Sequence, residues 1–149
     1  MVGSLGAADL ERLANIYHES QIGRTTGLRM SFAEDGAATC SFAHSHRFDH
    51  ALDQVHGGLL ATMLDNAGWF TAAANHAQWV VTSDMHMRLL AGTTGEDLRA
   101  TGSIVRMGKR QTIVTMDLFA ASGLHVAMAT GTFCPTGKSL PFVGGGGVS

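Results

Sequence analysis

The sequence predicts an α+β domain in which a curved antiparallel sheet wraps around one long buried helix. Three observations predict it. The run from Leu59 to Ala74 carries a single formal charge, at Asp65, so neither helical face suits water. Alternating apolar and polar segments fall two before that run and four after it, which segregates helix from strands. The gaps between the later segments are short and contain Gly, as hairpin connections do.

The elements follow in order. Residues 8–21 place Leu10, Leu13, Ala14 and Tyr17 at helical spacing, with Asp9 and Glu11 near the start, where carboxylates suit the helix dipole. Gly23 is expected to end this helix. Leu28–Phe32 and Ala38–Phe42 read as two strands about the polar bend Glu34-Asp35-Gly36. Residues 43–56 are His-rich and show no period, hence a loop. Gly57 and Gly58 open the long helix, whose two faces carry Leu60, Met63, Leu64, Ala67, Thr71 and Ala74, and Gly58, Ala61, Thr62, Asp65, Trp69 and Ala72. With no polar face, it is expected to be buried on nearly all sides. Val80–Leu90, Asp97–Met107, Gln111–Ala121 and His125–Phe133 read as strands, with Met85, Met87 and Leu89 alternating onto one side. The short gaps predict that these four form an antiparallel meander. The expected division is an N-terminal helix over 1–24, the main domain over 25–138, and a flexible Gly-rich tail over 139–149.

Composition limits the function classes. A chain of 149 residues is most economically one domain. With 45% hydrophobic and only 15% charged residues, part of the surface is expected to be covered by another copy. A net charge of -2 argues against nucleic acid as a partner, which needs a basic face. Cys40 and Cys134 fit no metal spacing and read as free thiols in a reducing compartment. The N-terminus lacks a signal-peptide pattern, and no stretch approaches the ~20 apolar residues of a membrane span. The expectation is a cytoplasmic protein without a membrane partner.

The chemistry concentrates at the start of the long helix. Gly57 and Gly58 let a ligand approach the backbone, and the first N–H groups of a helix lack internal partners and sit at its positive end. A carbonyl oxygen gaining negative charge is stabilised by such donors. By itself, a Gly-rich helix start equally serves as a tight turn. Asp65 shifts the balance: a carboxylate on a helix without a polar face needs either a structural partner or a reaction, and small neighbours (Gly58, Ala61, Ala72) leave room for a substrate. His56 either orients a substrate carbonyl or caps the helix. His44, His46 and His50 invite a metal reading, but no carboxylate or Cys companion at ligand spacing stands out, so no metal is expected. Arg106, Lys109 and Arg110 flank a turn at Gly108. They are either an ordinary basic hairpin tip or a phosphate-binding cluster. Ser83 is a candidate hydrogen-bond partner at the opening of the third strand, and Trp69 a candidate pocket wall.

Val55-His56-Gly57-Gly58, then Leu64-Asp65-x-Ala67, with Thr82-Ser-Asp-Met-His-Met87 after the helix, resembles the phenylacetate-pathway type (PaaI-like) of hotdog-fold thioesterases over roughly residues 25–135. The resemblance implies hydrolysis of acyl-CoA to a free acid and CoA, with no cofactor because CoA is part of the substrate. It further implies homodimers, often paired into homotetramers, with active sites at the dimer interface. Gly57 would then polarise the thioester carbonyl, and Asp65 of the neighbouring subunit would be nucleophile or general base, with His56 and Ser83 in support. Arg106, Lys109 and Arg110 would take the CoA phosphates, and Gly58 and Trp69 would contact substrate. Relatives commonly carry an Asn or Gln a few residues before the His; here His50 holds that place, with Gln54 nearer the motif. Two other readings stay open: an acyl-CoA-binding hotdog protein without turnover, and a hotdog enoyl-thioester hydratase or dehydratase, whose Pro-Gly or Asp-x-Asn-x-x-His patterns this chain lacks.

Overall fold

A computed structural model describes residues 5–144. The chain runs through α1 (Ala7–Glu19), α2 (Gln21–Thr26), β1 (Arg29–Phe32), β2 (Ala38–Phe42), a 3-10 turn (His46–Phe48), α3 (Gly57–His76), β3 (Gln78–Leu89), β4 (Leu98–Met107), β5 (Thr112–Ala120) and β6 (His125–Ser139). The α+β architecture is the expected one: six antiparallel strands curl around α3.

In α1, Leu10, Leu13, Ala14 and Tyr17 are buried, the face that their spacing predicts. Gly23 does not end the first helix. The chain breaks at Ser20 instead, whose Oγ caps α2 by accepting from Gly23 N–H at 3.1 Å, and α2 ends at Gly27 in the left-handed region (φ 69°). Helical structure thus runs beyond the expected boundary at residue 24, with Gly23 inside α2.

The sheet order is β1-β2-β4-β5-β6-β3, which corrects the expected four-strand meander. The segments β4, β5 and β6 do follow one another as hairpins, but β3 pairs with β6 and lies at the far edge. The physical reason lies at the two ends of β3. Ala77, at φ 52°, reverses the chain directly off α3, so β3 runs back along the helix. Residues 90–97 then cross the ends of β6 and β5 to start β4 beside β2. Leu90 N–H donates to Val126 O and Ala121 N–H to Asp97 O along the way, and Val55 N–H donates to Thr93 O. A short gap therefore need not be a hairpin when its backbone groups find partners across strand ends.

The helix sits close against the sheet. At Gly102 on β4, a Cβ would lie 2.5 Å from Ala67 O and would overlap Thr71 Oγ1, so glycine sets the α3–β4 separation. Met63, Leu64, Ala67, Met116, Leu118 and Phe133 are fully buried between the two layers. One side of α3 departs from the expected burial: Ala61, Thr62, Asp65 and Trp69 are only half-buried and Gly58 is exposed. A six-stranded sheet ends at β3 and leaves this stripe uncovered.

The expected tail begins later than residue 139. Leu140 is buried and its N–H donates to Ala77 O at 3.2 Å, and Phe142 and Val143 pack against the core. The remainder of that segment, residues 145–149, lies outside the described residues. No described helix is long and apolar enough to cross a membrane.

Candidate active site

The start of α3 is set by the loop that precedes it. His56 N–H donates to Phe48 O at 2.8 Å, and Asp49 forms an antiparallel bridge with Val55. His56 is the N-cap: its Nδ1 accepts from Gly58 N–H at 2.8 Å. This selects the capping reading of that ring and leaves the neutral imidazole with its proton on Nε2. With Gly58 N–H engaged, Gly57 N–H is the donor at the positive end of α3 that makes no hydrogen bond among the described residues.

Beside Gly57 lies a cavity of about 350 Å³ lined by His50, Gln54, Val55, Gly57 and Leu60 and by the chain from Leu89 to Gly92. The fold thus brings both polar candidates for the upstream helper to the same N–H. His50 Nδ1 already accepts from Leu52 N–H at 3.1 Å. The Gln54 amide, which makes no hydrogen bond among the described residues, occupies the space a side chain at Gly92 would take.

Asp65 stands eight residues further along α3, half-buried, where Thr82 Oγ1–H donates to its Oδ1 at 2.8 Å. At 1.5 Å per residue the carboxylate is roughly 12 Å along the helix axis from Gly57. Within one chain the two groups face different spaces. Trp69, one turn beyond Asp65, donates its indole N–H to Val80 O at 2.9 Å, fixing the ring against the start of β3.

Thr82 is the residue that sequence reasoning missed. Alternation of Met85, Met87 and Leu89 puts odd positions of β3 toward the helix, which points to Ser83. The register of β3 on β6 shifts between Thr82 and Asp84, leaving Ser83 as an exposed bulge residue. The bulge changes the inward parity, so Val80 and Thr82 face α3 before it and Met85 and Met87 after it. No local sequence signal marks that bulge.

Arg106, Lys109 and Arg110 cluster at the β4–β5 turn around a concavity of about 540 Å³. Their end of the sheet is that of Thr82, through the row Met107, Thr112, Phe133, Thr82. The Gly57 cavity is at the Leu89 end, roughly 20 Å away at 3.3 Å per strand residue. The fold of one chain does not bring the basic cluster to Gly57. Nor does it leave the loop histidines without a carboxylate, as the sequence suggested: Asp49 lies within 2.9 Å of His46 Nδ1 and 3.3 Å of His44 Nε2.

A family model described as Thioesterase superfamily matches residues 53–127, the segment from just before the helix-opening motif to the start of β6. No curated protein matches the chain closely enough to be counted a relative. Among solved structures, a Shewanella oneidensis protein related to the thioesterase superfamily is 25% identical, with a TM-score of 0.79 and coverage of 87% of this chain and 96% of that one. The E. coli PaaI protein from the phenylacetic acid degradation operon is 18% identical, with a TM-score of 0.82 and coverage of 89% and 97%. A Haemophilus influenzae thioesterase is 15% identical, with a TM-score of 0.76 and coverage of 84% and 88%. The last two are likenesses of fold, the hotdog arrangement of one sheet curled around one helix.

Proposed function

Since this chain belongs to the thioesterase superfamily, and so is a thioester hydrolase, we propose that its substrates are acyl-CoA thioesters and that Gly57 and Asp65 carry the reaction. The observation that carries this reading is the Gly57 N–H, which makes no hydrogen bond among the described residues, in a cavity with His50 and Gln54, set against the Asp65 carboxylate on the half-open side of the same helix. Gly57 N–H donates to the thioester carbonyl oxygen, where charge builds as the carbon is attacked. Asp65 either attacks that carbon, expelling CoA thiolate and leaving an anhydride that water opens, or takes a proton from the attacking water. Both routes give a free acid and CoA.

The separation of roughly 12 Å along α3 is too long for one carbonyl to meet both groups of one chain. A second copy resolves this. The edge strand β3 is twelve residues long, exposed over much of its length, and flanked by the uncovered stripe of α3. An unprotected edge of that length is a template for pairing. Two chains joined antiparallel along β3 would place Asp65 of one beside Gly57 of the other, and would cover Val81 and Leu89, each 54% exposed. Pairs of such dimers would form the tetramer, and the Arg106–Arg110 cluster of one subunit would serve the CoA phosphates at a site built with another.

The test is thiol release from a panel of aryl, short-chain and long-chain acyl-CoAs, with light scattering to fix the oligomer. Hydrolysis that collapses in Asp65→Asn while the dimer persists supports the reading. Tight acyl-CoA binding with no thiol released by the wild-type chain would sink it in favour of a binding protein.

A further inference from the structure

The loop between β2 and α3 gathers three ligating side chains that hydrolysis does not use. His44, His46 and Asp49 each offer one ligand atom, a ring nitrogen or a carboxylate oxygen, and these lie within 4.8 Å of one another. Asp49 is the enclosed member, its side chain 6% exposed, while that of His46 is 86% exposed and opens the cluster to water. Its only side-chain partners among the described residues are the two imidazoles. An enclosed carboxylate flanked by two imidazoles is a ligand set that a cation can complete.

The distances fit one. His44 Nε2 stands 3.3 Å from both carboxylate oxygens, long for a charge-assisted hydrogen bond at about 2.7–2.9 Å. Metal–ligand bonds of about 2.0–2.2 Å place neighbouring ligand atoms roughly 3.0–3.5 Å apart in six- and four-coordinate sites. The 3.3 Å separation lies within that range, the 2.9 Å one just below it, and all three ligand atoms lie within 4.8 Å of one another. The two rings stand at 90° to one another with centroids 4.7 Å apart. Two imidazoles and one carboxylate suit zinc-class ions and disfavour magnesium and calcium, which take oxygen ligands.

We propose that His44, His46 and Asp49 bind one divalent transition-metal ion of the zinc class, completed by water, which staples the loop ahead of α3. Asp49 bridges Val55, and the adjacent Phe48 carbonyl holds His56 N–H. An ion on Asp49 therefore braces both contacts that set the start of α3 and the cavity beside Gly57.

The test is calorimetric titration of Zn²⁺ into the untagged, chelator-stripped full chain at about pH 7.5, where ligand deprotonation favours binding. One ion per chain is expected, and Co²⁺ in its place should show visible d–d bands. His46→Ala changes an exposed side chain outside the core, so its circular dichroism should stay wild-type while Zn²⁺ affinity falls at least about tenfold. Asp49→Asn should lose affinity likewise. Absence of stoichiometric uptake by the wild-type chain, or wild-type affinity in either variant, overturns the proposal.

Discussion

Replacing Gly57 with Pro exchanges the N–H that the proposed mechanism needs for a ring carbon, at a position where the helix accepts proline. Gly57 is the first residue of α3, where proline fits because the N–H has no helical partner and φ near −65° suits the helix. The preceding His56 has φ −61° and ψ 134°, the extended region that a residue before proline prefers. A Cβ at position 57 meets only Leu89 Cδ1, at 3.0 Å, the far end of a flexible side chain. Fold and dimer should therefore survive. Loss of a single oxyanion donor costs about 10²–10³ in kcat, or about 2.7–4 kcal/mol of transition-state stabilisation. Gly57→Ala adds the Cβ but keeps the N–H, so it should retain most of the activity and separate the effect of the Cβ from that of losing the N–H. The assay is acyl-CoA thiol release, with thermal melts to establish folding. Mixing Gly57→Pro with Asp65→Asn after subunit exchange extends it: half the dimers are then mixed, each with one intact site, and about a quarter of wild-type activity should return. A folded Gly57→Pro enzyme within a few-fold of wild type refutes the assignment of the donor. Failure of the mixture to recover activity, with subunit exchange demonstrated, refutes the shared site.

Three further outcomes are expected. Thr82→Val keeps the shape of the side chain but removes the only side-chain hydrogen bond to Asp65 among the described residues; kcat should fall about tenfold or more, since a hydrogen bond to a charged group is worth about 1.5–3 kcal/mol, and Thr82→Ser should restore it. His18 Nε2 accepts from Met30 N–H at 2.9 Å, tying α1 to β1, and burial, then the Arg29 charge, hold this ring below the ordinary histidine value of 6.5. The unfolded chain then takes up a proton that the native state resists, so this stability is full above that value and lost as pH falls toward the folded one. The urea midpoint should drop between about pH 7.5 and about pH 5.5, and the drop should shrink in His18→Gln, which can accept the same bond without titrating; an unchanged drop would count against His18. Gly102→Ala forces a Cβ to 2.5 Å from Ala67 O and should cost about 1–3 kcal/mol through overpacking, read as a lower urea midpoint; a neutral result would mean that α3 and β4 separate easily.

The helix at the centre of the fold was legible because Asp65 interrupts an otherwise uncharged run, a pattern that depends only on local periodicity. The buried face of α1 was legible for the same reason. So was the pairing of β1 with β2, where a polar bend with Gly36 closes a short hairpin. Strand order was not. Residues 90–97 look like any hairpin gap, and only their hydrogen bonds to Val55, Ala121 and Val126 show a crossing. Thr82 escaped because a bulge reverses parity without leaving a mark in composition, and Asp49 because its nearness to His44 depends on a folded loop.

The sequence by itself determined the fold class, the long central helix and the Gly57–Asp65 motif, since these rest on period, charge and glycine within a few turns of chain. Only the tertiary structure decided which hydrogen bonds were already taken. It assigned Gly58 N–H to His56, left Gly57 N–H without a partner among the described residues, and gave Asp65 its Thr82 partner. The physical reason is that a donor's availability and a carboxylate's reach are properties of neighbours brought from elsewhere in the chain, and here of an edge strand that a single chain leaves unpaired.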